Sequence, residues 1–181
     1  MVRSLFSSWR ADLQTYRGDW TAQGFWALVV HRFGTWRYGV RPVLLRKVLS
    51  LFYKVAFKGI QIFCGMEIPC EAQVGRGTRI DHFGGIIVSG YARIGDHCIL
   101  RQGVTIGLKC ESEPVAPWIG DRVSIGSGAA ILGDVRIGDG AAIGANAVVL
   151  SDVPAGCIAV GVPARIRPGK RKPSWISTSS S

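Results

Sequence analysis

The chain has 181 residues, room for one domain of ordinary size plus a short appendage, which excludes two large domains. Hydrophobic residues make up 48% and charged residues 19%, so the bulk carries enough apolar material to form a packed core and is not disordered. The formal charge of +10 invites a nucleic-acid reading, yet residues 1–60 hold ten Lys/Arg against Asp12 and Asp19, whereas residues 61–168 hold nine against ten acids. With a neutral main body and no nucleic-acid motif, that class of partner is not expected.

In residues 1–60, Leu44, Leu45, Val48, Leu49, Leu51, Phe52, Val55 and Ala56 recur at helical spacing, with Arg46, Lys47, Lys54 and Lys58 between them. One or two helices are expected, with breaks at Gly18-Asp19 and Arg41-Pro42. Four of the six tryptophans (Trp9, Trp20, Trp26, Trp36) sit beside these basic residues. Two readings stand side by side: an interfacial membrane element, or helices packed on the rest of the chain or on a neighbouring subunit. The opening MVRSLFSSWRADLQ lacks the continuous apolar run of a signal peptide, and the basic residues interrupt 43–66 too often for a membrane span. Five cysteines form no C-x-x-C pair, and their odd number suits a reducing compartment where they serve as small hydrophobes. A cytoplasmic protein is expected, with peripheral contact at the inner membrane face through residues 1–60 as the first reading would have it.

Residues 61–168 carry a period of six. Stepping by six from Ile68 gives Val74, Ile80 and Ile86; from Val88, Ile94, Leu100 and Ile106; from Ile119, Ile125, Ile131, Ile137, Ile143 and Val149. The register shifts by two between Ile86 and Val88, and residues 107–118 interrupt it. Gly often follows the aliphatic residue, and the fourth position after it is small or β-branched, as in Ala72, Cys98, Val123 and Ala147. Neither a period of 3.6 nor one of 2 explains this hexapeptide repeat, whereas a parallel β-helix with one short side and one corner per unit does. The fold expected is mainly β, a left-handed parallel β-helix over 61–168 behind a basic helical segment over 1–60. The Ser-rich tail, 169–181, is expected to be disordered.

On such a scaffold, chemistry comes from residues that depart from the repeat. His31 falls in the helical segment, and His97 sits in a Gly-Asp-His-Cys corner unit. His82, in Ile-Asp-His-Phe-Gly-Gly just ahead of the register shift, is the best candidate for a displayed side chain, although a solvated corner histidine would look the same. A neutral imidazole there is able to accept a proton from an alcohol. Glu67 lies fifteen residues upstream, close to one eighteen-residue coil away, and is the candidate carboxylate for orienting it. Asp81 either binds substrate or is a corner residue. Two histidines within the repeat are too few for the three-histidine zinc site of hexapeptide-repeat carbonic anhydrases, so no metal is expected. No phosphate loop or dinucleotide fingerprint occurs.

The segment IDHFGGIIVSGYARIGDHCILRQGVTIG, with its two-residue shift, and AVGVPARI at 159–166 resemble the serine O-acetyltransferases and related left-handed β-helix acyltransferases. The resemblance runs from about Gly65 to Arg167. It implies direct acetyl transfer from acetyl-CoA to a hydroxyl in a homotrimer with active sites between neighbouring prisms. It makes His82 the general base, with Glu67 where the family has an Asp paired with that histidine, and Asp81 an acceptor contact. Gly107, Leu108, Ser127 and Ala145 match positions whose backbone lines the CoA groove.

Two departures bear on the acceptor. The loop that carries Arg-His-Pro in serine acetyltransferases reads Val115-Ala116-Pro117 here, and the N-terminal helical region is short and basic. A desolvated amino-acid carboxylate needs a cationic partner, and the loop offers none. Together with the resemblance of that short N-terminus to colanic-acid and exopolysaccharide acetyltransferases, this gives the expectation of a saccharide hydroxyl in surface-polysaccharide synthesis. Serine O-acetyltransferase of cysteine synthesis is the alternative, and a non-catalytic trimeric scaffold the second.

Overall fold

Aliphatic residues six apart bury themselves only on a surface that repeats every six residues, and the computed structural model has that form. A parallel β-helix of about five turns follows three helices, α1 (Leu5–Thr15), α2 (Gln23–Arg37) and α3 (Val43–Cys64). The structure describes residues 5–110, 112 and 114–169, so the tail beyond Gly169 lies outside the described residues.

The sides of the prism are three sheets. The first stacks β1 (Met66–Glu67), β4 (Ile86–Val88), β7 (Thr105–Gly107), β10 (Ala130–Leu132) and β13 (Val148–Val149). The second stacks β2 (Gln73–Val74), β5 (Arg93–Ile94), β8 (Trp118–Ile119) and β11 (Arg136–Ile137). The third stacks β3 (Arg79–Asp81), β6 (Ile99–Arg101), β9 (Ser124–Ile125), β12 (Ala142–Ile143) and β14 (Ile158–Val160), and β15 (Arg165–Arg167) closes it as an antiparallel partner of β14. The AVGVPARI segment thus forms the turn that ends the solenoid.

Every aliphatic of the repeat except half-buried Val74 lies in the buried core. Pairing registers give the coil lengths. Ala130 pairs with Val148 and Ile87 with Thr105, both eighteen residues on. Met66 pairs with Ile86, twenty residues on, and Thr105 with Ala130, twenty-five on. The first coil is therefore two residues longer than the repeat, and the third carries a seven-residue insertion after Gly107. The six-step from Ile80 to Ile86 is corrected accordingly: Ile86 stacks on Met66, and Val88 is the true successor of Ile80 around the coil.

The helical segment has three helices rather than the one or two expected. Its breaks fall as the sequence indicated, at Arg17 and Gly18 with φ of 54° and 85°, and at Pro42, the N-cap of α3. A buried ion pair joins α1 to α2, and its arginine ties both to the first coil. Arg32 Nε lies 3.1 Å from Asp12, which is 1% exposed, and the same guanidinium donates to the carbonyls of Val74 and Gly75. α2 lies against the strands at glycines: a Cβ on Gly24 would meet the Ile80 carbonyl at 2.6 Å, and one on Gly34 would meet Cys70 Cβ at 2.5 Å. Among the described residues no helix is long and apolar enough to cross a membrane.

Candidate active site

β3 carries Ile80 inward and Arg79 and Asp81 outward. It is held from behind by Tyr16, whose hydroxyl accepts from the Ile80 N–H at 2.8 Å and donates to the Ile80 carbonyl at 3.3 Å. Burial pushes the Tyr16 phenol well above its ordinary pKa, which keeps the proton that the donated bond requires. The chain then leaves the third sheet at His82 with φ of 65°, a left-handed conformation uncommon for a non-glycine residue. Gly84 and Gly85, at φ of 99° and 69°, complete the turn into β4. The two extra residues of the first coil lie in this corner, which stands out from the shorter corners stacked above it at Gln102–Gly103, Ser127–Gly128 and Asn146. His82 is exposed, and among the described residues nothing hydrogen-bonds its ring.

Of the other histidines, His31 is tied into the scaffold, whereas His97 is exposed at a corner of the regular repeat. His31, 2% exposed, has Nε2 at 3.0 Å from the Ala72 carbonyl, and burial lowers its pKa to about 4. His97 sits at a corner with φ of 58°, its ring over Gly77 of the coil below.

Asp81 is gripped by its neighbour: Arg79 Nε lies 2.7 Å from Oδ1, and Nη2 donates to Oδ2 at 3.0 Å. In the next coil Arg101 is the register partner of Asp81 on the same outward face. Its guanidinium donates to Ser124 Oγ at 3.2 Å and makes no ion pair among the described residues. Sequence reasoning passed over both arginines; adding the twenty-residue length of the first coil to Asp81 would have found Arg101. Glu67 is placed differently from expectation. The longer coil sets it beside Ile87 rather than three residues from His82, and its carboxylate accepts from Gln61 Nε2 at 3.1 Å, with no hydrogen bond to His82. It lines a cleft of about 360 Å³ with Lys58, Gln61 and Ile87.

Ser127 and Ala145 fall in the corner column above His82, one coil apart. Gly107 and Leu108 lie at the opposite edge of the first sheet, where β7 ends. Among the described residues the backbone N–H groups of Leu108, Ser127 and Ala145 have no acceptor, and they offer donors to a polar ligand. No group of three or more His, Cys, Asp or Glu side chains that could hold a metal ion occurs among the described residues.

The bacterial transferase hexapeptide (six repeats) family matches residues 116–151. Serine acetyltransferase from Synechococcus elongatus is 38% identical over 144 residues, which is 79% of this chain and 56% of that protein. The crystal structure of Neisseria gonorrhoeae serine acetyltransferase in complex with serine superposes with a TM-score of 0.73 at 34% identity, covering 89% of this chain and 68% of that one. The chain belongs to the serine acetyltransferase family. A serine acetyltransferase solved with CoA matches with a TM-score of 0.75 at 32% identity, over 91% of this chain and 70% of that one.

The family corrects the expectation of a saccharide acceptor and of polysaccharide synthesis, since these relatives are serine acetyltransferases. The expectation leaned on a neutral loop at Val115-Ala116-Pro117 as the sole source of a cation. Folding instead sets Arg79 and Arg101 on the sheet face around Asp81, at positions the loop alignment did not touch. The chain spans little more than half the length of the curated relative it matches.

Proposed function

We propose that the protein transfers the acetyl group of acetyl-CoA to the hydroxyl of L-serine, with His82 as general base, in an assembly of three copies. The observation that carries this reading is the exposed imidazole of His82, displayed by the longer corner beside an outward Asp81 in a serine acetyltransferase family member. Acetyl-CoA supplies an activated thioester carbonyl. His82 takes the serine hydroxyl proton as that oxygen attacks the carbonyl carbon, and returns the proton to the departing CoA thiolate, so no acyl group rests on the protein. The free amides of Leu108, Ser127 and Ala145, with Gly107, are assigned to CoA and to the negative charge that develops on the carbonyl oxygen. Asp81 faces the serine ammonium and Arg101 its carboxylate, which replaces the cation that the loop lacks. Glu67, held by Gln61, is assigned a supporting role in the wall of the site without a direct hydrogen bond to His82.

Three copies are supported by the two edges of the groove. Ser127 and Ala145 stand on one side of the first sheet and Gly107 and Leu108 on the other, roughly 10 Å of three-residue strand apart. A groove between two prisms unites them by setting the His82 column of one copy against the Gly107 edge of the next.

The test is thiol release from acetyl-CoA with L-serine and with L-serinamide, which lacks the carboxylate. Wild type is expected to use L-serine and to prefer it. In Arg101→Leu the KM for L-serine rises about 10–100-fold, the loss of a charge-assisted hydrogen bond, while L-serinamide turnover is unchanged. Release no faster with L-serine than without any acceptor overturns the reading.

A further inference from the structure

Among the described residues α3 packs on one side only. Tyr53 and Cys64 are buried and Leu49, Phe57 and Ile60 half-buried, and this stripe faces α2 and β1. The opposite face of the helix carries a long apolar strip. Leu44, Val48, Leu51, Phe52, Val55 and Ile62 recur with helical period along nearly its whole length, each between 45% and 78% exposed. Soluble monomers seldom leave so continuous an apolar strip in water. Lys47, Lys54 and Lys58 run along one border of it; at about 100° per residue the three fall within an arc of about 40°. No acidic residue occurs between Asp19 and Glu67, so α2 and α3 carry no carboxylate to neutralise them.

A second copy laid antiparallel on this face would bring lysine row against lysine row, and one laid parallel would leave both rows without a counter-charge, since neither helix carries a carboxylate. An anionic bilayer surface satisfies both halves of the pattern. Acyl chains receive the apolar stripe, and lipid phosphates receive the ammonium groups, whose stems lie along the apolar border. Among the described residues no helix qualifies as a span, so α3 has to lie in the membrane plane.

We infer that α3 is an interfacial anchor that docks the β-helix on an anionic membrane. Lys58 and Gln61 also line the cleft that holds Glu67, so docking brings that end of the first coil to the lipid surface. This goes beyond the acetyl-transfer reading and does not depend on it.

The experiment is flotation of the full chain with phosphatidylcholine vesicles, with and without phosphatidylglycerol, alongside light scattering and melting curves. The full chain is expected to float with the anionic vesicles alone and to be released by high salt. Exchanging Lys47, Lys54 and Lys58 for Gln weakens binding about a hundredfold. Leu51→Ser with Val55→Ser abolishes flotation while particle mass and melting stay as in wild type. A Phe52→Trp variant gains blue-shifted emission over wild type on vesicles, quenched by brominated lipid, and serves as the reporter should the double serine variant fail to fold. Three results overturn the inference: no flotation of the full chain, added emission from the Phe52→Trp variant that stays unquenched on vesicles, or a double serine variant that falls apart into smaller particles, which would assign the face to another copy of the chain.

Discussion

The imidazole of His82 stands free because its corner is two residues longer than the repeat and turns through a left-handed residue. That much was legible in the sequence, since the register shift and the Gly-Gly pair after His82 mark the place where the coil departs from its own rule. The surroundings of His82 were not legible, because they depend on coil length. An eighteen-residue coil sets Glu67 near His82, whereas the twenty-residue coil sets it beside Ile87 with Gln61 as its partner. Arg101 was hidden for the same reason, being a neighbour of Asp81 only across that longer coil. With its carboxylate held by Gln61, Glu67→Gln should lower kcat for L-serine by less than about tenfold, the scale of a single charge acting through space. A loss equal to or greater than that of His82→Ala, read in the same steady-state assay, would mean that the base is misassigned.

Among the elements, the three helices do more than lead into the β-helix. Tyr16 grips the backbone of β3, and α2 lies on the first coil through Gly24, Gly34 and the bonds of Arg32 to the Val74 and Gly75 carbonyls, so the strand before His82 is held from behind. Helical periodicity foretold helices here but not their docking, because the Asp12–Arg32 contact spans twenty residues of chain and leaves no mark in local pattern. His31 makes this joint sensitive to acid. Its ring is buried neutral, with a pKa lowered from 6.5 to about 4, so the unfolded chain takes up the proton first. Stability is therefore full above pH 6.5, falls as pH drops toward 4, and loses about 3 kcal/mol by then from this group. Urea unfolding of wild type and His31→Gln across that range should show a shallower decline in the variant; parallel curves would remove His31 from the account.

For the whole molecule, the stack of aliphatic residues sets both stability and the spacing of the site. Ile125 is fully buried between its counterparts Leu100 and Ile143. Ile125→Ala should cost about 2–5 kcal/mol by chemical denaturation, and a loss under about 0.5 kcal/mol would mean that the coils do not bear on one another as described. The solenoid itself was the most legible feature, since a strict period of six admits few solutions. The acceptor was the least legible, because an absent loop charge was read without the sheet face that carries Arg79 and Arg101. Acetyl transfer as proposed turns on proton removal by the imidazole of His82, and the most direct measurement is kcat for acetyl transfer to L-serine by His82→Ala. The predicted result is a fall of about 10²–10⁴-fold with the melting curve and particle mass of wild type. Turnover equal to wild type in a folded variant would contradict it.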